Sequence, residues 1–334
     1  MNVASDVDAC TAFANGREVL IVTVSYRSAQ LVINGLASLA ADVMDGTRVG
    51  VIVVDNTCGE DAVSIRTAIA ERGWGQWAMV RIAERNGGYA YGNNLAIRAA
   101  LAADSPPKYY WLLNPDAEAQ PGAMQALVSF MQDNPQVGIT GSALLDPDGS
   151  TWGIAFRFPS LWSELDRGAA FGPLSKLLVR YRVARKMGDS PEQVDWLAGA
   201  SMMIRRDVFE NIGLMDEGYF LYYEETDFCL QARKAGLTCW YVPNSKVMHI
   251  AGGSTGVTAR DGVPKRQPQY VFDSRRRYFV KNHGWVYAVM TDSAFCLGLA
   301  VAQLRSWLQR NPRRWPPNLL WDSLKNHSLI RHQI

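Results

Sequence analysis

Three carboxylates, Glu224, Glu225 and Asp227, fall within four residues. Like charges this close raise the pKa of at least one group unless a cation or a helix N-terminus compensates, and a carboxylate poised near neutral pH is what general-base chemistry needs. The structural alternative is a charged helix start. Asp116 stands two residues past Asn114, just after the apolar run 109–113, in the stretch NPDAEAQPG. It reads as a turn ahead of a helix beginning near Pro121, or as half of a cation site. His249 ends a β-like run at 245–248. An isolated imidazole is commonly structural, but beside Asp116 it would complete a hard-ion site whose other ligands are water and phosphate oxygens.

The hydrophobic pattern indicates which elements must position these groups. β-rich runs at Val19–Ser25, 49–54, 76–82 and 109–113 alternate with helix-like stretches at 30–43, 62–70 and 92–103. Strands spaced by helices predict βαβ crossovers, and so an α/β fold with a largely parallel sheet. Val51-Ile52-Val53-Val54 is apolar without alternation, so both sheet faces should be covered. A helix is expected from Pro121 to Asp133. Between 146 and 195 the pattern loosens, with one short basic helical piece at 174–187, as in an inserted, substrate-facing segment. A helix over 224–235 and a mainly helical region from 267 onward complete the pattern.

In open α/β sheets, ligands bind beyond the carboxyl ends of the strands. Three of those ends carry Ser25-Tyr26, Asp55-Asn56 and Asn114-Pro115-Asp116. Each has a turn reading; together they offer an aromatic face, a hydrogen-bonding acid and a cation-binding acid, which suits a nucleotide. No dinucleotide glycine fingerprint follows the first strand and no P-loop lysine motif occurs, so phosphate binding falls to a divalent ion.

At 334 residues and 48% hydrophobic, the chain can bury a large core, and composition argues against disorder. Lys and Arg total 34 against 32 Asp and Glu, which excludes nucleic acid as the main partner and makes any anion site local. The five cysteines are odd in number and form no CxxC pair, which fits a reducing compartment, the cytoplasm by default. Residues 1–17 hold Asp6 and Asp8 and no long apolar stretch, and read as a loose tail rather than a signal peptide. The apolar stretch 285–304 is interrupted by Thr291-Asp292-Ser293 and Gln303, which favours an interfacial or buried helix over a spanning one. Eleven Trp exceed ordinary usage, and indole faces suit sugar C–H surfaces and membrane interfaces as well as cores.

One ordered series of motifs resembles family 2 glycosyltransferases of the GT-A fold, in the branch that holds rhamnosyl- and galactofuranosyltransferases. It comprises Val24-Ser25-Tyr26, Val54-Asp55-Asn56, NGGYAYGNN from Asn86, Leu113-Asn114-Pro115-Asp116, WLAGAS from Trp196, Met215-Asp216-Glu217, the Glu224 to Asp227 cluster and His249. The resemblance implies a Rossmann-like, mostly parallel mixed sheet flanked by helices. Its core would span 18–255, with 146–195 as an acceptor-side insertion, followed by a helical extension over 256–334.

It also implies an inverting transfer, in which an acceptor hydroxyl attacks the anomeric carbon of a nucleotide sugar opposite the diphosphate. Tyr26 and Asp55 would hold the nucleoside base, with Asn86 on the nucleotide side. Asn114-Pro115-Asp116 stands in the place of the DxD motif, Asp116 and His249 would bind Mg²⁺ or Mn²⁺, and Glu225 matches the catalytic base. Trp196, Glu224 and Asp227, with the 152–162 segment, would face the acceptor. Arg277, with Arg275 and Lys281, would add donors to the phosphates or belong to a solvated face. The branch's usual donor is dTDP-L-rhamnose, and its products are cell-surface polysaccharides or glycolipids. A lipid-linked acceptor would bring residues 285–307 with Arg313, Arg314 and Trp315 onto the membrane surface, at the inner face, as a peripheral enzyme with a homo-oligomer as an option.

Two positions depart from the family pattern. Asn114 removes the first charge of DxD, and Glu225 stands where Asp is usual, moving the carboxylate by roughly 1 Å. The rivals are a nucleotidylyltransferase, which would show a Gly-rich basic loop where this chain has Val24-Ser25-Tyr26-Arg27-Ser28, and a non-catalytic nucleotide-sugar or glycan-binding protein.

Overall fold

The computed structural model describes residues 3–43, 48–152, 154–250, 264–310 and 315–331. Helix α1 (Val3–Ala14) leads into an alternating series: β1 (Val19–Ser25), α2 (Ala29–Val43), β2 (Val49–Asp55), α3 (Glu60–Glu71), β3 (Ala78–Ile82), α4 (Gly88–Leu101) and β4 (Tyr109–Leu113). The short β5 (Ala117–Ala119), α5 (Ala123–Asp133) and the long β6 (Val137–Leu145) come next. The inserted segment contributes β7 (Ile154–Phe156), α6 (Leu161–Ala169), α7 (Gly172–Leu177), β8 (Ala184–Lys186) and β9 (Glu192–Val194). β10 (Ser201–Arg205), α8 (Arg206–Ile212), α9 (Glu224–Lys234) and β11 (Thr238–His249) close the core, and α10 (Gln269–His283), α11 (Trp285–Leu308) and α12 (Leu319–Lys325) form the extension.

The main sheet runs β3-β2-β1-β4-β10-β6-β11-β5, with β9 also on β11. β1, β2, β3 and β4 pair in parallel through the helical crossovers. β10 enters antiparallel between β4 and β6, so the sheet is mixed beyond β4. Every residue of β1, β2 and β4 is buried, which is why these runs lack alternation. Period-two geometry divides them between two cores: Val19 and Ile21 pack with Val32, Leu36 and Leu39 of α2, while Leu20 and Val22 pack with Ala96 and Ile97 of α4.

Two expectations are corrected. The loose tail at 1–17 is largely helical: Cys10 and Ala14 are fully buried, and the Thr11 hydroxyl donates to Ala99 O of α4 at 3.0 Å. The helix forms because tertiary packing supplies an apolar partner that propensity alone does not reveal. The basic piece at 174–187 is α-helical only through Leu177, followed by one 3-10 turn at Val179–Tyr181; Ala184 to Lys186 form a strand against Ile154 to Phe156, with Arg157 N–H donating to Val183 O at 2.7 Å. The boundary expected at 255/256 and the membrane-facing Arg313 and Arg314 lie outside the described residues.

The extension is fastened to the inserted segment through close helix contact and buried charge. A Cβ on Gly168 of α6 would sit 2.4 Å from Phe295 O of α11, and one on Gly298 would sit 2.7 Å from Ala169 N, so only glycines allow this approach. Beside it Arg275 pairs with Glu164 at 2.7 Å and with Asp292, and Glu164 also pairs with Arg167 at 2.6 Å. Burial disfavours ionised Glu164, but the two guanidiniums hold its carboxyl below the usual range.

Candidate active site

A cleft of about 350 Å³ opens at the carboxyl ends of β1, β2 and β4, the position that parallel topology makes available. It is lined by Tyr26, Asn56, Asn86, Tyr89, Asn114 and Pro115 from the core, with Phe220 and Tyr270 opposite. Tyr26 is 41% exposed, with Arg27 stacked over its ring at 5.4 Å. Asn86 Oδ1 caps Gly88 N at 3.1 Å. Gly88 has φ +87, and a Cβ there would lie 1.9 Å from Phe220 O, so this glycine is what lets the 219–223 loop close against α4. Asn56 Nδ2 donates to Gly88 O at 3.0 Å, while its buried Oδ1 has no partner among the described residues. That leaves one acceptor available to a cleft ligand.

Asp116 and His249 meet behind Asn114 and Pro115, which line this cleft. Strand β11 carries His249 alongside Ala117, and His249 Nε2 lies 3.2 Å from Asp116 Oδ1 and 3.5 Å from Asn114 Nδ2. The Trp152 ring packs edge-on against the imidazole, with centroids 5.5 Å apart. Two donors bound to the same Mg²⁺ or Mn²⁺ at about 2.1 Å, in adjacent octahedral positions, stand about 3 Å apart, so the observed spacing fits. Among the described residues no group of three or more His, Cys, Asp or Glu is arranged for a metal.

Glu224 and Glu225 begin α9 directly after Tyr222 and Tyr223, whose φ values are 68 and 70. Two consecutive non-glycine residues in the left-handed region mark a strained entry, and it delivers both carboxylates into the protein. Burial pushes the Glu225 carboxyl up to about 6, against hydrogen bonds from the backbone at Glu225 and Gly199. Burial, and then the charge of Glu225, push Glu224 well above the usual carboxylate range. Tyr89 joins this pair to the cleft, since its hydroxyl donates to Gly199 O at 2.7 Å and its phenol is pushed up by burial and by Glu225 and Glu224. The site thus combines a proton-accepting carboxylate, a cation-compatible pair and a nucleotide-sized cleft.

Other anticipated residues sit elsewhere. Asp55 is fully buried, and its oxygens accept from Thr57 N at 2.7 Å and Ala62 N at 2.8 Å. It caps the start of α3, where amides need an acceptor, and Asn56 faces the cleft in its stead. Arg277 does not line the cleft; its guanidinium forms two bonds to Asp216, at 2.9 and 3.1 Å. Burial opposes ionisation of Asp216, yet Arg277, Lys281 and the Gly218 amide hold its carboxyl down to about 2. Asp227 turns to Lys281 at 2.6 Å and Asn282 at 2.6 Å, so it fastens α9 to α10. Trp196 stacks on Phe156 with centroids 4.2 Å apart and donates to Arg157 O, supporting the inserted segment from within. Tyr89 and Gly199, overlooked as individual residues, both lie inside the NGGYAYGNN and WLAGAS motifs. Phe220 and Tyr270, whose rings are tilted against each other with centroids 5.4 Å apart, carried no spacing signal.

A family model described as "Glycosyltransferase like family 2" matches residues 15–263. The chain belongs to that family. This family 2 glycosyltransferase is 33% identical over 179 residues to the N-acetylglucosaminyl-diphospho-decaprenol L-rhamnosyltransferase of Mycobacterium tuberculosis, covering 51% of this chain and 57% of the relative. It is 26% identical over 167 residues to rhamnosyltransferase WbbL of Escherichia coli, covering 49% and 61%. The chain thus spans less than two thirds of the length of these curated relatives. Among solved structures, the mannosyltransferase PcManGT of Pyrobaculum calidifontis, in complex with GDP-Man and Mn²⁺, superposes over 99% of this chain and 90% of its own with a TM-score of 0.53 at 13% identity. The fold of this family 2 glycosyltransferase is therefore GT-A: a mixed, mainly parallel sheet with flanking helices and a helical C-terminal region.

Proposed function

We propose that this chain is a metal-dependent inverting glycosyltransferase that moves L-rhamnose from dTDP-L-rhamnose to a hydroxyl of a glycan or lipid-linked saccharide, at the cytoplasmic face of the cell membrane, in cell-surface polysaccharide synthesis. The observation that carries the reading is the arrangement around one cleft: Asp116 and His249 3.2 Å apart beside Asn114, and Glu225 bonded to Gly199, whose carbonyl Tyr89 holds. The rhamnosyltransferase names of the two relatives support the sugar, and the diphospho-decaprenol acceptor of the first supports a lipid-linked one. The Mn²⁺ and GDP-Man of the mannosyltransferase structure support a divalent ion and a nucleotide-sugar donor.

In this reading Glu225, ionised, accepts the proton of the acceptor hydroxyl as that oxygen attacks the anomeric carbon, and the nucleoside diphosphate departs from the opposite face. Asp116 and His249 would hold Mg²⁺ or Mn²⁺, with Asn114 assisting. The ion supplies Lewis-acid stabilisation of charge on the leaving diphosphate. Tyr26 stacks the base, Asn56 and Asn86 orient it, and Tyr89 fixes Gly199 so that its amide points at Glu225. Glu224, deeper and held neutral, keeps a second negative charge away from the base.

Thermal shift with a panel of nucleotides tests the donor side, because ligands bound only by the folded state raise its stability. dTDP and dTDP-L-rhamnose should raise Tm more than UDP or GDP, and only with Mn²⁺ or Mg²⁺ present. Equal shifts for all nucleotides would remove the rhamnose donor, and metal-independent shifts would remove Asp116 and His249 as ligands.

A further inference from the structure

Among the described residues, one full face of helix α11 has no protein partner. Val286, Met290, Leu297, Val301, Leu304 and Leu308 are 47–66% exposed. At 3.6 residues per turn they line up along about 33 Å of helix. The opposite face is buried through Phe295, Leu299 and Ala302. Trp321 in α12 and Ile330 after it are exposed as well, and so are Leu177 and Val179 at the far end of α7, one short helix past the α6–α7 corner. Arg305 joins that corner to the end of α11 by bonding Ala170 O at 3.0 Å and stacking over Phe171 at 4.6 Å.

The charges around this surface are sorted by sign. Every acid in 161–182, 285–310 and 315–331 is buried, namely Glu164, Asp166, Asp292 and Asp322, and each is paired with an arginine. The exposed charges in the same segments are all basic, among them Lys176, Arg180, Arg310 and Lys325. With a net charge of only +2 for the whole chain, this is local sorting rather than a global excess.

We infer that this apolar face with its basic rim docks on the surface of an anionic lipid bilayer, with α11 lying in the interfacial plane. Alkyl side chains enter the acyl boundary while Lys and Arg meet anionic headgroups. α11 is long and apolar enough to cross a membrane, but spanning would strip the Asp292–Arg275 pair of its protein surroundings. A twofold contact with a second copy would press basic rim against basic rim. The inference adds to the proposed function the surface on which an acceptor is met. Binding is measured without donor or acceptor, so its failure would leave the transfer reading standing.

The test is co-sedimentation of the full chain with phosphatidylcholine vesicles, alone and mixed with phosphatidylglycerol. The chain should pellet with the mixed vesicles, less so as salt rises. Leu297→Ser/Val301→Ser/Leu304→Ser should weaken partition by at least about tenfold with an unchanged Tm, because these side chains are already exposed. Lys176→Glu/Arg180→Glu should weaken it selectively on anionic vesicles. Equal recovery from vesicles and buffer would overturn the inference, as would undiminished partition of the triple variant. Concentration-dependent dimers that the triple variant abolishes, with no vesicle binding, would assign the face to a second copy.

Discussion

Glu225 and Glu224 pay for their position in folding free energy, and this makes the pair testable apart from turnover. Burial raises both carboxyls above their unfolded values. Their contribution to stability is therefore fully present below the unfolded carboxylate pKa and is lost as pH rises through the folded values, about 6 for Glu225. Glu224→Gln removes a charge the fold disfavours, so calorimetry should find it melting above wild type near pH 8, with the gap closing toward pH 5. A gap independent of pH would show that Glu224 is not titrating in that range. Asp116→Ala should cost transfer about 10²-fold or more and abolish any response to Mn²⁺ titration, whereas Asn114→Asp should strengthen the metal's effect. An Asp116→Ala variant with wild-type Mn²⁺ dependence would place the ion elsewhere. At this scale residue type and order pointed to the stretches that the fold brings together, Asn114 to Asp116 with His249, and to the Glu224-Glu225 start of α9. Asp55, Asp227 and Arg277 were misread because a charged residue beside a site looks the same in sequence whether it faces ligand or a neighbouring helix; only the folded partners, Ala62 N, Lys281 and Asp216, decide.

Among the elements, the turn from Asn86 into α4 and the entry to α9 do the positioning. Gly88→Ala would force a Cβ to within 1.9 Å of Phe220 O at φ +87. Backbone strain and clash together should cost at least about 2 kcal/mol. Denaturant unfolding should show that loss alongside weaker nucleotide binding; a variant with wild-type stability would mean the 219–223 loop has another seat. The alternation of β1 through β4 was readable because strands buried on both faces are uniformly apolar and separated by helical stretches. Strands β7 and β8 were not, since they are three residues each and their pairing depends on contacts across the inserted segment.

At the scale of the whole molecule, the extension is welded to the core by buried charge rather than tethered as a separate unit. Arg275 neutralises Glu164 and Asp292 together. Arg275→Ala leaves two carboxylates buried without it and should destabilise the chain by about 3–5 kcal/mol, seen as a single transition at lower Tm if core and extension unfold together. Two separate transitions in wild type would contradict that coupling. The helical character of this region was plain in the sequence, but its ion pairs were not: Arg275 and Arg277 read as phosphate donors or a solvated face because their acidic partners, Glu164, Asp292 and Asp216, stand far away along the chain.

The central claim is that Glu225 is the base of an inverting sugar transfer. It is tested most directly by the pH dependence of kcat/KM for transfer from dTDP-L-rhamnose, in wild type and in Glu225→Gln. Wild type should lose activity on the acid side with an apparent pKa near 6, and Glu225→Gln should fall by about 10²- to 10⁴-fold and lose that acid limb. A glutamine variant within tenfold of wild type, or one that keeps the same acid limb, would contradict the account.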